Sequence, residues 1–455
     1  MLIEPQAVRM ALLEPNNLSP EEAFARLRRE AGCCWLDSGS GSSSLQRHSI
    51  LAARPSMTLR AWGPRIERIT AEGIDYLTGD SLEILASTIE AHANQVEFAG
   101  GAIGHFSYEF GRRLAGQNDQ RGRAQHWPDF QFQFYLAVYV YNHDNGIASL
   151  RATDTPDGQQ ALQALQRILM LPPAEDGPMF CGADFTPNRS REDYCQAVAK
   201  ARQHIAAGDI YQANLAQFFS TAFQGDPATL FNRLRQQNPA PYAAYLHQGN
   251  RQILSSSPEL FLQVQGDRIV TRPIKGTRPR GANEADDACS RMELLASPKE
   301  RAELLMIVDM ERNDLGRLAK FGTVRVNELY RLESYATVHH LIGEVEATLR
   351  PGVTLRELLC ATFPGGSITG APKLKAMEII AELEPSPRDI FCGSIGWLGF
   401  NGDIALNIAI RTITCQEGRA DFGVGAGIVW DSEPEAEYDE TLHKAKALFA
   451  ALKSE

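Results

Sequence analysis

The sequence predicts an α+β fold built on antiparallel sheet, and three observations carry that expectation. Two tight-turn dipeptides, Gly266-Asp267 and Asn401-Gly402, lie between strand-like runs and mark hairpins. Strong helix-start signals precede apolar stripes at helical spacing, so long helices accompany the strands. The 455 residues are 44% hydrophobic and 22% charged, close to the globular average and ample for a sizeable core.

Taken in order, the first half reads as mainly strands, typified by the aromatic-rich run 130–141, and carries little recognisable chemistry. The patch Ser38-Gly39-Ser40-Gly41-Ser42-Ser43-Ser44 predicts a flexible loop. A helix suggested by 161–170 is stopped by Pro172-Pro173 and Gly177-Pro178, which sets a boundary between a portion 1–171 and a portion 188–455. The second portion opens on Ser190-Arg191-Glu192-Asp193, a capping-box pattern, with Tyr194, Val198, Ala201 and Ile205 following at helical spacing until Gly208. Run 210–220 then alternates, placing Gln212, Asn214 and Ala216 on one face and Tyr211, Ala213 and Leu215 on the other. A row of amides on one strand face suggests a polar cleft.

The first hairpin turn pairs 265 with 268 and, carried outward, 259 with 274 and 258 with 275. Glu259 and Lys275 therefore reach one end of the hairpin, but on opposite faces if the pairing is regular. A bulge or strand end at Pro258 or Gly276 has to turn one of them. The second hairpin joins 393–400 to 403–415, and Glu417-Gly418 returns the chain through 420–430 to complete one meander. Within it Ala405, Asn407, Ala409 and Arg411 share a face, where an arginine among small residues leaves room for an anion. Two further helix starts follow the same logic: Ser297-Pro298-Lys299-Glu300 reads as N-cap, first-turn proline and capping-box glutamate, and Ser432-Glu433-Pro434-Glu435 repeats it. The second of these helices carries a stripe of Tyr438, Leu442, Ala445, Phe449 and Leu452.

The formal charge of -11 opposes phosphate backbones and anionic membranes, and Arg112-Arg113, Arg121 and Arg123 are too scattered to form a basic patch. General nucleic-acid binding is excluded on that ground. Met1 to Met10 has no basic segment followed by an apolar run, and no stretch is long and apolar enough to span a bilayer, so a cytoplasmic address without a membrane is expected. Eight cysteines stand at 33, 34, 181, 195, 289, 360, 392 and 415 without CxxC spacing or a histidine ladder, and read as buried reduced thiols.

Chemistry concentrates in a few segments. Glu300 and Glu303 on one helix start, and Glu437 and Glu440 on another, are spaced i, i+3 and share a face. Acidic residues near a helix N-terminus are favoured by the macrodipole alone; if the two pairs meet, oxygen-only ligands imply Mg²⁺. The segment Phe363-Pro364-Gly365-Gly366-Ser367-Ile368-Thr369-Gly370-Ala371-Pro372-Lys373 is not a P-loop, because Ala371-Pro372 separate the last glycine from the lysine. Its glycines and hydroxyls before a helix at 373–383 still offer an anion cradle. Gly423-Val424-Gly425-Ala426-Gly427 precedes strand residues, so it reads as close backbone approach to a ligand, not a dinucleotide fingerprint. Lys275 is either an ordinary loop-edge lysine or, in a closed site, a nucleophile.

Together, Ser255-Ser256-Ser257-Pro258-Glu259, Pro273-Ile274-Lys275-Gly276-Thr277-Arg278-Pro279-Arg280, the run 303–314 with its Asp309-Met310-Glu311-Arg312-Asn313-Asp314, the run 366–373 and the run 425–440 resemble, in one consistent order, the chorismate-utilising enzymes related to anthranilate synthase component I. The resemblance implies a large single α+β domain with two packed antiparallel sheets surrounded by helices. It also implies a branch of the family. Anthranilate-forming members carry alanine where Lys275 stands, whereas the aminodeoxychorismate synthase component I branch carries this lysine as a proposed nucleophile. Isochorismate- and salicylate-forming members carry a base lysine where Gln212 stands.

The implied activity is conversion of chorismate and ammonia to 4-amino-4-deoxychorismate on the para-aminobenzoate route to folate, with ammonia from a glutamine amidotransferase partner subunit. The in-family alternative is anthranilate formation, and an alternative of another class is a non-catalytic amino-acid sensor. By resemblance, Glu303 and Glu440 hold Mg²⁺ with Glu300 and Glu437 close by. Glu259 is the general acid and Lys275 the nucleophile. Gln212, Gly276, Thr277, His340, Ser367, Arg411, Gly425, Ala426 and Gly427 surround the substrate. Leu36, Ser38, Pro241 and Tyr242 match the elements of a tryptophan pocket. Where many relatives have an acidic residue in the strand leading to the binding arginine, this chain has Ala405, which bears on auxiliary substrate contacts.

Overall fold

In the computed structural model of the chain, residues 11–12, 18–39, 47–117, 125–182 and 184–453 are described. Residues 40–44 of the Gly/Ser patch, Arg121, Arg123 and Met1 to Met10 lie outside them. The architecture is two large antiparallel sheets packed face to face, with helices on both outer sides. In the first sheet the strand order is Ala11–Leu12, Ile147–Ala152, Ala137–Asn142, His48–Ala52, Cys34–Asp37, Tyr242–Gln248, Arg251–Ser257, Thr412–Gln416, Arg419–Ile428, Gln212–Gly225 and Met179–Cys181. The second runs Ile274–Pro279, Val338–Thr348, Arg268–Arg272, Leu260–Gln265, Ile404–Asn407, Ser394–Gly399, Gly101–Phe106, Phe130–Tyr135, Met57–Trp62, Arg65–Thr70 and Gly73–Thr78. In each sheet the strands from the first part of the chain form one side and those from the second part the other, joined where Cys34–Asp37 meets Tyr242–Gln248 and where Gly101–Phe106 meets Ser394–Gly399.

The period of two explains the layers. In Tyr242–Gln248, Ala243 and Tyr245 face a helix-side core with Phe24, Leu234 and Leu448, whereas Ala244 and Leu246 face the seam between the sheets. From the opposite sheet, Ile103, Ile395 and Trp397 enter that seam while Ala102 and Leu398 face the other helix layer. Trp397 is 2% exposed, and each large side chain so buried contributes about 1.5–3 kcal/mol. None of the described helices is long and apolar enough to cross a membrane.

Several expectations are corrected in detail. The run 130–141 is not one strand: it breaks at Leu136, sending Phe130–Tyr135 to one sheet and Ala137–Asn142 to the other. The expected meander breaks in the same way at 408–411, between Ile404–Asn407 in one sheet and Thr412–Gln416 in the other. Such corners let a single chain stitch both layers, and Arg411 sits in one with φ of 51°, outside the strand face assigned to it. The first hairpin keeps its expected register from Gln265↔Arg268 to Gln263↔Val270, then shifts so that Leu260 pairs with Arg272. A bulge at 261–262, inside the strand and not at Pro258, reverses the parity of Glu259. The other expected irregularity lies at Gly276, where φ is 77° and the register with Val338–Thr348 slips.

The capping box at Ser190 forms as expected, opening helix Arg191–Ala206. Ser297 caps helix Pro298–Gly316 through the Glu300 N–H, but its own N–H bonds Leu294, so Glu300 is free of the box. Helix Pro434–Leu452 starts after Glu433, and Ser432 instead accepts the Val429 N–H. All eight cysteines are free, but only Cys33, Cys34, Cys392 and Cys415 are buried.

Candidate active site

The bulge at 261–262 and the kink at Pro273 and Gly276 turn Glu259 and Lys275 into one cleft between the second sheet and the segment 366–369. Glu259 is buried, with its carboxyl against the Ile274 N–H at 3.4 Å. Burial pushes its pKa up to about 7, although the Ser367 hydroxyl, the Lys275 charge and the Ile274 N–H pull the other way. Glu259 is therefore an acid that still holds its proton near neutrality. Lys275 is half-buried; its Nζ donates to the Ser367 carbonyl at 3.0 Å and forms no ion pair among the described residues. Gly276 cannot be otherwise: a Cβ there would meet Leu294 at 2.7 Å and Glu300 at 3.1 Å, and its φ lies in the left-handed region.

The two acidic helix starts do approach each other. Glu303 has its pKa raised, first by burial, against the Lys275 and Lys299 charges, with Glu300 and Glu440 adding like-charge repulsion. Glu437 is raised by burial and by Glu440, against its Ser432 and lysine neighbours. Glu440 is lowered: burial raises it, but Lys444, Lys299 and Lys275 together outweigh that. Lys444 pairs with Glu440 at 2.7 Å and with the Gly425 carbonyl at 3.1 Å. Glu300 turns instead toward Arg278, at 3.4 Å. No three His, Cys, Asp or Glu side chains gather into a metal cage among the described residues. Two facing carboxylates at a cleft are nonetheless the donor set that Mg²⁺ takes when waters and substrate oxygens complete its shell.

The cleft also holds an arginine and a buried histidine. Arg411 has its pKa lowered by burial, meets no carboxylate among the described residues, and donates to the Asn238 side chain at 3.2 Å. His340 is buried, bonded through Nδ1 to Thr277 at 3.0 Å, and its pKa falls to about 3 through burial and then Arg411. It is neutral, and its Nε2 has no partner. His339 separates from it completely, locked between Ser334 and Asp287 at 2.8 and 2.9 Å. The amide row forms as expected: a Cβ on Gly427 would come within 2.4 Å of Gln212 Nε2, and one on Gly425 within 2.8 Å of Asn214. These glycines clear space for the neighbouring amides. Ala426 packs its side chain under the sheet with Tyr194 and Leu215, leaving only main-chain atoms to a ligand. Gln212 Oε1 and His340 Nε2 are buried polar atoms without partners among the described residues. A polar ligand would satisfy them.

The segment before helix Lys373–Leu383 is not an anion cradle. Gly370–Ala371 pair with Gln212 and Ala213, Pro372 supplies no N–H, and Lys373 is taken by Asp314 at 2.5 Å and the Thr362 carbonyl at 2.8 Å. Its contribution to the cleft is Ser367. Sequence reasoning missed Lys299, Lys444 and Asn238. Lys444 had a readable signal, four residues beyond Glu440; Asn238 had none.

Leu36, Ser38, Pro241 and Tyr242 line a separate cavity of about 330 Å³ at the seam, with Phe98, Leu260 and Trp397. Ala405 lines this cavity too, so the missing acid changes the seam and not the surroundings of Arg411.

The comparisons agree with this geometry. The profile of the family described as chorismate binding enzyme matches residues 32–450. An aminodeoxychorismate synthase component 1 of Klebsiella aerogenes is 38% identical over 95% of this chain and 96% of its own length. An anthranilate synthase component 1 of Haloarcula marismortui is also 38% identical, over 95% of this chain and 90% of its own. The crystal structure of anthranilate synthase component I from Streptococcus pneumoniae superposes with a TM-score of 0.77 at 29% identity, covering 99% of this chain and all of that one. With two packed sheets, a buried acid beside a lysine and a match over nearly its whole length, this chain belongs to the chorismate binding enzyme family.

Proposed function

We propose that this chain is the chorismate-aminating subunit of an aminodeoxychorismate synthase, converting chorismate and ammonia to 4-amino-4-deoxychorismate and water for para-aminobenzoate and folate synthesis. The observation that carries the reading is Lys275, an amine in no ion pair among the described residues, beside Glu259, which keeps its proton up to about pH 7. Relatives of both activities share this chain's identity level, so one residue's chemistry decides more than overall similarity does.

In this reading Arg411, with His340 and the backbone at Gly425, Ala426 and Gly427, receives the enolpyruvyl carboxylate, while Thr277, Ser367 and Gln212 orient the ring. Lys275, as the free amine, attacks C2. The ring double bonds shift, the C4–O bond breaks, and Glu259 gives its proton to the departing hydroxyl, which leaves as water. Ammonia then bonds to C4, the double bonds shift back, Lys275 departs as the amine with which it attacked, and the proton that the new C4 ammonium sheds returns to Glu259. Glu303 and Glu440 would hold Mg²⁺, with Glu300 and Glu437 beside them; the ion would supply positive charge to the ring carboxylate.

Ammonia would reach the site from a separate glutamine amidotransferase subunit. The seam cavity at Leu36, Ser38, Pro241 and Tyr242 is suited to an apolar amino acid such as tryptophan, and the eight free cysteines are in keeping with a cytoplasmic address. Incubation of the purified chain with chorismate, ammonium and Mg²⁺, with chromatography of the products, tests the proposal. Aminodeoxychorismate is the expected product; anthranilate in its place would overturn it.

A further inference from the structure

We propose that Arg388 is a positioning residue of the reaction, fixing the turn whose Ser367 carbonyl holds Lys275. Arg388 follows helix Lys373–Leu383 and is 2% exposed, well away from solvent. Its Nε and Nη2 meet Glu384 at 2.9 and 2.6 Å, a buried ion pair. If the arginine served only that pair, its remaining donors would need no particular target. Instead Nη1 donates to the Ile368 carbonyl at 3.0 Å and Nη2 to the Asn214 carbonyl at 2.5 Å.

Those two acceptors belong to the two walls of the cleft. Ile368 lies one peptide beyond the carbonyl that accepts the Lys275 amine, and Asn214 lies in the strand that begins with Gln212. The Asn214 side chain adds a second bond to the Ile368 carbonyl at 3.1 Å, and the Asn214 N–H meets the Thr369 carbonyl at 2.8 Å. Glu384 in turn accepts the Ala216 N–H at 2.8 Å, tying the pair to the same strand. The Arg388 guanidinium also stacks on Tyr108, 4.6 Å from the ring centre. A planar guanidinium can make this fork; an ammonium at the same place meets at most part of it. The chain thus sets the height of the Ser367 turn, and with it the Lys275 amine, from a residue that touches no substrate.

The proposal rests on Lys275 acting chemically at this site, and its test is read as chorismate consumed, whatever the product, so a wrong product assignment leaves it standing. Arg388→Lys keeps the charge against Glu384 but removes the fork; Asn214→Ala removes the companion bond and leaves the ion pair intact. Turnover with chorismate, ammonium and Mg²⁺ is measured beside chorismate affinity by calorimetry without ammonium, and beside thermal melting. Both folded variants should keep chorismate affinity within about 3-fold while kcat falls about 10- to 100-fold, the loss expected from a small displacement of a reacting group. Should Arg388→Lys fail to fold, Asn214→Ala decides alone. Wild-type kcat in a folded variant, or kcat, affinity and melting temperature falling together, overturns the proposal.

Discussion

Glu259 and Leu260 are neighbours in sequence and face two different hollows, and the contrast between those hollows separates chemistry from simple binding. On the Glu259 side the walls carry Lys275, Glu303, Glu440 and Arg411, with several buried polar atoms unsatisfied. On the Leu260 side the 330 Å³ seam cavity is floored by Leu406, Trp397 and Ala405, with charges such as Arg47 and Glu97 among its lining. Glu259 stands just before strand Leu260–Gln265, whose first residue lines the seam, so one peptide of chain divides the two hollows. Burial shifts groups in both hollows, His48 and Glu97 of the seam included, but among the described residues it is the first that sets a proton-holding acid beside a lysine, the pairing a reaction can use.

The largest effect that sharpens this contrast is at Lys275. Lys275→Ala should lower amination by about three orders of magnitude, in the range seen when a nucleophile is removed, while chorismate affinity changes little. Intact-mass measurement should detect a substrate adduct on the wild-type chain and none on the variant; near wild-type turnover of the variant would end the covalent reading. Residual product should shift toward the anthranilate-forming intermediate, since C2 is then open to ammonia.

Glu259→Gln should cost about 10²- to 10⁴-fold in rate. The acid is needed in its protonated form, so wild-type turnover should decline as pH rises past about 7. Its folded pKa lies above the ordinary value of 4.5, so the stability tied to its proton is complete below about 4.5 and lost as pH rises through about 7. At pH 8 the glutamine variant should consequently be more stable than wild type, by up to roughly 3 kcal/mol. Equal denaturation midpoints for the two proteins at pH 8 would count against the burial of a reluctant acid.

Third in size, Glu303→Gln and Glu440→Gln should each weaken Mg²⁺ and chorismate binding together, by about tenfold or more. Chelation should stop turnover, and full activity in excess chelator would remove the metal from the scheme. The smallest effect belongs to the other hollow. Ala405→Leu should abolish calorimetric binding of tryptophan by filling the cavity, yet leave kcat within about 3-fold, because it adds volume only where no reacting group stands. A kcat loss as large as that of Glu259→Gln would dissolve the distinction between the hollows.

Much of this was legible in the chain. The turn at Gly266-Asp267 gave the register of its hairpin as far as Gln263↔Val270, and the amide row at Gln212 and Asn214 followed from alternation. The bulge at 261–262 was not readable, since Phe261-Leu262 looks like any strand interior; its place is set by packing against Ile404–Asn407. The corners at Leu136 and 408–411 were hidden for a similar reason, as both sheets bury apolar residues and no polar break marks the change of layer. Ser432 carried a convincing cap pattern, but the Val429 N–H competes for its hydroxyl and wins. Arg388 had no signal at all, because its role depends on carbonyls far away in sequence.

Pairing between strands far apart in sequence bears on how the protein can be made. Cys34–Asp37 pairs with Tyr242–Gln248, and Gln212–Gly225 waits for Arg419–Ile428 at the far end of the chain. During ribosomal synthesis the first sheet therefore stays open at its middle until almost the last strand has emerged, leaving long unpaired edges exposed for most of translation. Assembly must close many distant loops at once, which predicts slow folding and a need for chaperone protection. Gly425, Ala426 and Gly427 arrive with that final strand, so a nascent chain gains its chorismate pocket only in the moment that it gains its fold.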